Sequence, residues 1–185
     1  IKLRTSSIGA RGRCTIACRR SSSCVARWRG GQVKLSRDFH ELLECFDRND
    51  VRYLIVGGWA LAAHGHPRMT KDLDVWIWPA ATNANAVLDA LEEFGFGDLG
   101  LSADDLTEPD VVIQLGYPPN RVDLLTTPTG VEFGDCWEER LEVEMDGLIV
   151  PFIGLEGLKA NKRASGRAQD TVDVEILEGD GERLR

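Results

Sequence analysis

The chain has no hydrophobic run long enough to cross a membrane. The best candidate, Leu54 to Ala63, is interrupted by glycines, whereas a membrane helix needs about eighteen or more apolar residues. Cysteine is also scarce, and the five that occur form no even, regular framework: Cys14, Cys18, Cys24, Cys45 and Cys136. A disulfide-stabilised secreted protein is therefore disfavoured, and we expect a soluble protein of the reduced cytoplasm with no membrane partner.

Acidic residues are missing from residues 1–37, which hold 10 Lys and Arg, while the remainder carries 12 Lys and Arg against 30 Asp and Glu. The basic segment is rich in Arg and Ser and has little apolar periodicity, so we expect residues 1–35 to be a disordered extension. Its composition also resembles a transit peptide, and its charge would suit RNA. The acidic remainder of the chain, which we call the acidic body, does not by itself attract long nucleic acids.

Hydrophobic residues make up 43% of the whole chain, which is enough for one packed domain. We place this domain at residues 36–178, followed by a tail at 179–185. Apolar periodicity predicts an α/β (α+β) fold with a mixed sheet flanked by helices and two C-terminal helices. The predicted helices are 36–48, 57–64, 83–94, 135–141, 155–165 and 168–177. The predicted strands are 51–56, 70–78, 111–115, 121–125, 142–145 and 148–153.

Two aspartates stand one residue apart in the second predicted strand, in Asp72-Leu73-Asp74. Side chains at i and i+2 leave the same face of a strand, so both carboxylates point at one place. Carboxylates held so close repel each other unless a cation lies between them. Mg²⁺ suits this role because it takes a few carboxylates and completes its shell with water and phosphate oxygens. The pair indicates metal-dependent chemistry on a nucleotide.

The segment Tyr53 to Ile77, YLIVGGWALAAHGHPRMTKDLDVWI, resembles the nucleotidyltransferase superfamily that shares its core with DNA polymerase beta. The shared signature is an apolar strand, a Gly-Gly or Gly-Ser turn that opens a helix, a spacer, and then Asp-apolar-Asp. Gly58 departs from the Ser that many active members have at this position. The resemblance also implies a third acid on a nearby strand, and Asp123 in Arg121-Val122-Asp123 is the candidate because it breaks an apolar strand pattern.

The resemblance implies roles for these residues. Asp72, Asp74 and Asp123 would bind Mg²⁺ or Mn²⁺ and act as the catalytic residues, with Asp123 helping to deprotonate an acceptor hydroxyl. Gly57 and Gly58 would let the backbone approach the triphosphate of an NTP. The cations proposed to neutralise that triphosphate are Arg68, Lys71, Lys159, Lys162 and Arg167.

Several of these residues have simpler explanations. Asp123 could form a salt bridge with Arg121, and Arg68 could pair with a surface acid. Lys159 and Lys162, three residues apart, could form a solvated helix face. The acids at 170 and 173 are predicted to cap and solubilise the last helix.

Within this superfamily, the sequence most resembles small stand-alone prokaryotic members, including abortive-infection and type IV toxin–antitoxin nucleotidyltransferases. This resemblance implies transfer of NMP from an NTP to a hydroxyl of RNA (tRNA) or of a protein, with a cognate toxin or antitoxin as partner. Three alternatives remain open. They are an antibiotic nucleotidyltransferase, a non-catalytic nucleotide-binding or interaction module, and an RNA-binding protein that acts through its basic extension.

Overall fold

The computed structural model describes residues 3–5, 26–27, 35–70, 72–118 and 120–183, with side chains for all but 3–5, 26–27 and 180–183. Lys71 and the first three cysteines lie outside the described residues. The helices are α1 (Arg37–Arg48), α2 (Gly57–Ala63), α3 (Ala81–Leu91), α4 (Phe133–Glu138), α5 (Leu155–Ser165) and α6 (Ala168–Arg183). The strands are β1 (Leu3–Thr5), β2 (Ala26–Arg27), β3 (Tyr53–Ile55), β4 (Asp72–Ile77), β5 (Val111–Leu115), β6 (Arg121–Leu125), β7 (Leu141–Met145) and β8 (Leu148–Phe152).

The strands form one mixed sheet. Its six inner strands follow the order β5-β6-β4-β3-β8-β7, with β1 beside β5 and β2 beside β7 at the edges. β4 runs parallel to β6 and antiparallel to β3, while β5 is antiparallel to β6. Within the described part of the chain, no helix is long and apolar enough to cross a membrane. The mixed α/β fold expected from the sequence is confirmed.

Local sequence signals explain most of the element boundaries. Ser36 caps α1 by accepting a hydrogen bond from the Phe39 N–H at 3.2 Å, and an apolar stripe on α1 is buried in the core. Asp146 and Gly147, both at positive φ, form the tight turn between β7 and β8. Gly166, also at positive φ, ends α5.

Several boundaries differ from the sequence prediction. α4 spans Phe133–Glu138 rather than 135–141, and α3 begins at Ala81 rather than Asn83. Asn83 is buried, and its side chain hydrogen-bonds both backbone groups of Arg52 and the carbonyl of Trp78. It therefore joins α3 to the residue that precedes β3, whereas the sequence analysis placed it only at the start of the helix.

The basic extension contains structure that the sequence analysis did not predict. Residues 3–5 pair antiparallel with β5, and residues 26–27 pair parallel with β7. Leu35, assigned to the extension, is buried in the hydrophobic core. The other residues before Leu35 lie outside the described residues, and their disorder stays a prediction.

Candidate active site

The three predicted catalytic acids lie side by side on two neighbouring strands. In the parallel pairing of β4 with β6, Asp74 is the register partner of Asp123, and Asp72 is the partner of Arg121. Because residues two apart share a face of a strand, all three carboxylates leave the same face of the sheet. On β4, the intervening Leu73 is fully buried. The fold thus brings together residues that are about fifty positions apart in the sequence.

Gly57 lies directly against this acidic group. It has φ +64, and a Cβ placed on it would come within 2.0 Å of Asp74 Oδ2. Both features require glycine, since other residues rarely adopt this φ and none has space for a side chain here. At Gly58, a Cβ would lie 3.0 Å from the Thr70 Cβ and 3.1 Å from its hydroxyl oxygen. Thr70 therefore occupies space that a serine at position 58 would need.

Burial and mutual repulsion alter the protonation of these acids. Burial raises the pKa of Asp74 to about 7, and the charges of Asp123 and Asp72 add to the effect. The positive charges of Arg121 and Arg167 act in the opposite direction. Burial also raises the pKa of Asp123, against the opposing charge of Arg121. Without a bound cation, Asp74 therefore keeps its proton to a higher pH than an ordinary aspartate does.

Arg121 is a member of the site that the sequence analysis treated only as a salt-bridge alternative. Its Nη2 lies 2.5 Å from Asp72 Oδ2, and its Nε lies 2.9 Å from Asp123 Oδ1. Gln114, the register partner of Asp123 on β5, also hydrogen-bonds that carboxylate. Both residues could have been found in the sequence. Arg121 precedes Asp123 by two positions, and Gln114 is the polar residue in the apolar run of β5.

The acidic group offers the hard oxygen donors that Mg²⁺ requires. Asp72 Oδ1 and Asp123 Oδ1 are buried and have no hydrogen-bond partner in the structure. Buried polar atoms normally have partners, so these oxygens fit a cation ligand. Among the described residues, however, no three His, Cys, Asp or Glu side chains are grouped closely enough to form a ready-made metal site. The guanidinium of Arg121 contacts the carboxylates instead.

A cleft of about 390 Å³ opens beside the acids, between the sheet and the C-terminal helices. Its size falls in the range of small-molecule sites. The sheet contributes Asp74 and Asp123 to its lining, and the start of α2 contributes Gly57. The segment after β6 contributes Thr127, Pro128 and Thr129. The α5 and α6 wall contributes Asn161, Lys162, Ser165, Arg167 and Asp170.

The predicted phosphate-binding cations are not equivalent in the structure. Arg167 lines the cleft, and none of the described residues forms an ion pair with its side chain. Lys162 also reaches the lining but is only 3% exposed. Arg68 and Lys159 are absent from the lining, and they form ion pairs with Asp173 and Glu156 respectively.

Lys162 belongs to a buried ionic network between α5 and α6. Its Nζ lies 2.9 Å from Asp170 Oδ1 and 2.6 Å from Asp173 Oδ2. Asp173 is fully buried and also accepts a hydrogen bond from Arg68 Nη2 at 3.3 Å. The prediction that the acids at 170 and 173 only cap and solubilise α6 is wrong for Asp173, and the solvated helix face suggested for Lys162 is wrong as well. These charges dock the two helices onto each other because a buried charge needs a partner.

Comparison with solved structures identifies the fold. TM1012 of Thermotoga maritima, which has been assigned to the nucleotidyltransferases, is 17% identical with a TM-score of 0.50, covering 80% of this chain and 98% of that one. The lincosamide antibiotic adenylyltransferase LnuA is 15% identical with a TM-score of 0.45, covering 78% and 97%. A nucleotidyltransferase-like protein of Paracoccidioides brasiliensis is 18% identical with a TM-score of 0.46, covering 76% and 74%.

No curated protein matches the sequence. The family model described as "Nucleotidyltransferase of unknown function (DUF6036)" matches residues 33–178. This match covers most of the chain, including all three acids and the cleft, and it confirms the superfamily that the glycine turn and the Asp-apolar-Asp motif resemble. The chain therefore belongs to this nucleotidyltransferase family and is a nucleotidyl-transfer enzyme.

Proposed function

We propose that the protein is an Mg²⁺-dependent nucleotidyltransferase that moves NMP from an NTP to a hydroxyl of an RNA or a protein. The observation that carries this proposal is the register of β4 and β6, which sets Asp74 beside Asp123 with Asp72 on the same face. Two of the three carboxylates also have a buried oxygen without a hydrogen-bond partner. Such an arrangement is costly unless a cation completes it.

Different residues of the chain would bind different parts of the nucleotide. The glycine backbone at 57 and 58 allows close approach of a triphosphate, since a side chain at Gly57 would collide with Asp74. Arg167 is the proposed phosphate-binding cation because it lines the cleft and exerts its charge on Asp74. Lys162 is assigned a structural role in docking the helices, since two aspartates already neutralise it.

Asp72, Asp74 and Asp123 would hold the metal. When bound, Mg²⁺ supplies charge stabilisation for the phosphate oxygens of an in-line displacement. Asp123 would accept the proton of the attacking hydroxyl, a role supported by its pKa, which burial raises above that of an ordinary carboxylate. The attack forms a bond from the acceptor oxygen to the α-phosphorus and breaks the bond to pyrophosphate, which leaves.

For the acceptor, we propose a tRNA or a protein partner within a toxin–antitoxin pair. In the described part of the chain, the cleft is walled by the sheet and by two helices, with no further domain beside it. The acidic body makes a protein acceptor or a short RNA end more suitable than a long nucleic acid, because like charges repel. An antibiotic hydroxyl is the competing acceptor.

The test is transfer of label from α-labelled NTPs, with Mg²⁺, to tRNA, to the product of an adjacent toxin or antitoxin gene, or to an aminoglycoside or lincosamide. We expect Asp123→Asn to lose transfer by roughly 10²–10⁴-fold because a positioned base and metal ligand is removed. Asp105→Asn is the matched control, since Asp105 is an exposed carboxylate held by Ser102, outside the cleft lining.

Equal transfer by the wild type and Asp123→Asn would refute the site. Binding of NTP that neither depends on Mg²⁺ nor leads to turnover would instead favour a non-catalytic module. Label on the antibiotic alone would replace the proposed acceptor while leaving the reaction intact.

A further inference from the structure

The cation that the structure does contain within the acidic site is the guanidinium of Arg121. Its Nη2 contacts Asp72 Oδ2 at 2.5 Å and Asp123 Oδ2 at 3.2 Å. Its Nε lies 2.9 Å from Asp123 Oδ1. One positive charge thus connects two of the three acids. The side chain of Arg121 is 28% exposed, so it is partly open to solvent and is not locked in the core.

The fit of this guanidinium to the acids is incomplete. Asp72 Oδ1, Asp123 Oδ1 and Arg121 Nε are all buried without a hydrogen bond, although the last two atoms are close. A bidentate arginine–carboxylate pair normally satisfies both oxygens with parallel N–H···O bonds. Arg121 therefore compensates the charge of the acids but leaves their hydrogen-bonding capacity unfilled.

A divalent cation and Arg121 compete for the same two carboxylates, because the guanidinium contacts Oδ2 of Asp72 and both oxygens of Asp123. Mg²⁺ requires ligand oxygens at about 2.0–2.1 Å in octahedral positions, and the guanidinium already lies against two of the three carboxylates. The two cations would also repel each other at this distance. Metal binding at these carboxylates therefore competes with the contact between the guanidinium and Asp72.

From this geometry, and building on the proposed function, we infer that Arg121 is a displaceable counter-ion that competes with the divalent cation. It is a positioning residue that acts through the carboxylates. In the metal-free protein it holds the acids together, and metal binding releases it from Asp72. The affinity of the site for metal is consequently lower than three converging carboxylates alone would give.

The experiment is a Mn²⁺ titration of the nucleotide-free protein, followed by the electron paramagnetic resonance signal of free Mn²⁺. We expect Arg121→Gln to bind Mn²⁺ about tenfold more tightly than the wild type, within the usual range of coupling between two ligands. Arg121→Lys keeps the charge and should remain near the wild type. In EDTA, Arg121→Gln should melt at a lower temperature than the wild type, and saturating Mn²⁺ should remove that difference.

Arg140→Gln is the matched control. Arg140 also pairs with an acid two residues further along, with its Nη2 2.7 Å from Glu142 Oε1, but Glu142 is not one of the three proposed metal ligands. It should change neither Mn²⁺ affinity nor the effect of Mn²⁺ on melting. A purely structural role of Arg121 would lower stability in EDTA and in Mn²⁺ alike, without tighter binding.

The inference is overturned if Arg121→Gln binds Mn²⁺ no more tightly than the wild type. Should that variant fail to fold, crystals of the wild type with and without Mn²⁺ decide the matter. The contact from Arg121 to Asp72 must open beyond hydrogen-bond distance when the metal is bound, and its persistence refutes displacement. If the wild type binds no Mn²⁺ and transfers no label, the proposed function fails too, whereas normal binding and transfer with an unchanged variant rejects the inference alone.

Discussion

Replacing Asp74 by Asn should make the metal-free protein more stable while removing its activity. The pKa of Asp74 is raised from 3.8 to about 7, chiefly by burial. Between these two pH values the folded protein holds a proton that the unfolded chain has lost, so the free energy of unfolding falls as pH rises. Since one pKa unit corresponds to about 1.4 kcal/mol, the ionised carboxylate costs the fold up to roughly 4 kcal/mol above pH 7.

Asparagine has the same shape and carries no charge, but its amide must find partners among the remaining groups. We therefore expect a gain of about 1–3 kcal/mol near pH 8, which shrinks as the pH is lowered towards about 5.5. Urea denaturation in EDTA at the two pH values measures this difference. Saturating Mn²⁺ should reverse it, because the wild type alone keeps all three metal ligands.

Asp105→Asn provides a control of opposite sign. Hydrogen bonds from Ser102 lower the pKa of Asp105, so its ionised form favours the fold, and the substitution should destabilise the protein near neutral pH. If Asp74→Asn is no more stable than the wild type in EDTA near pH 8, then the ionised carboxylate of Asp74 does not destabilise the folded state, and the electrostatic account of the site is wrong.

Three further predictions follow from the same contacts. Gly57→Ala should abolish transfer and lower the free energy of unfolding. The backbone strain at this φ alone costs about 1–3 kcal/mol, and the loss should be larger because the new Cβ would also lie 2.0 Å from Asp74 Oδ2. Gly147→Ala, at positive φ with nothing within 4 Å, should show the backbone cost alone, and equal losses in urea denaturation would contradict the clash. Lys162→Met should lower the free energy of unfolding by about 3–5 kcal/mol in the same assay, because it removes the ammonium that neutralises buried Asp173. A loss below about 1 kcal/mol would show that Asp173 does not depend on this ion pair. Mn²⁺ affinity, measured by calorimetry, should fall as the pH drops below about 7 because Asp74 must lose its proton to bind, and a flat profile from pH 8 to 6 would argue against this.

The sequence was informative wherever a local pattern determines the structure. Apolar periodicity and caps predicted α1 and α5, and the turn at 146–147 predicted the β7–β8 hairpin. The proximity of Asp72 and Asp74 also follows from strand geometry alone. Asp123 needed the family resemblance, because pairing of β4 with β6 joins residues far apart in the sequence, and its register cannot be read from either strand.

The sequence was less informative about which charges are free. Arg68, Lys159 and Lys162 stand in exposed-looking, charged segments, yet each meets an acid from another turn or helix. Helix periodicity describes the faces of one helix but not how two helices pack. For this reason Arg167 could not be separated beforehand from its ion-paired neighbours.

The order of the elements has a consequence for biosynthesis. The acids and the glycine turn lie between residues 57 and 123, but one wall of the cleft is built from residues 161–170 on α5 and α6. A ribosome makes that wall after the acids, so a nascent chain exposes repelling carboxylates on an open sheet until α5 and α6 dock. The complete cleft therefore forms only after synthesis has passed residue 170.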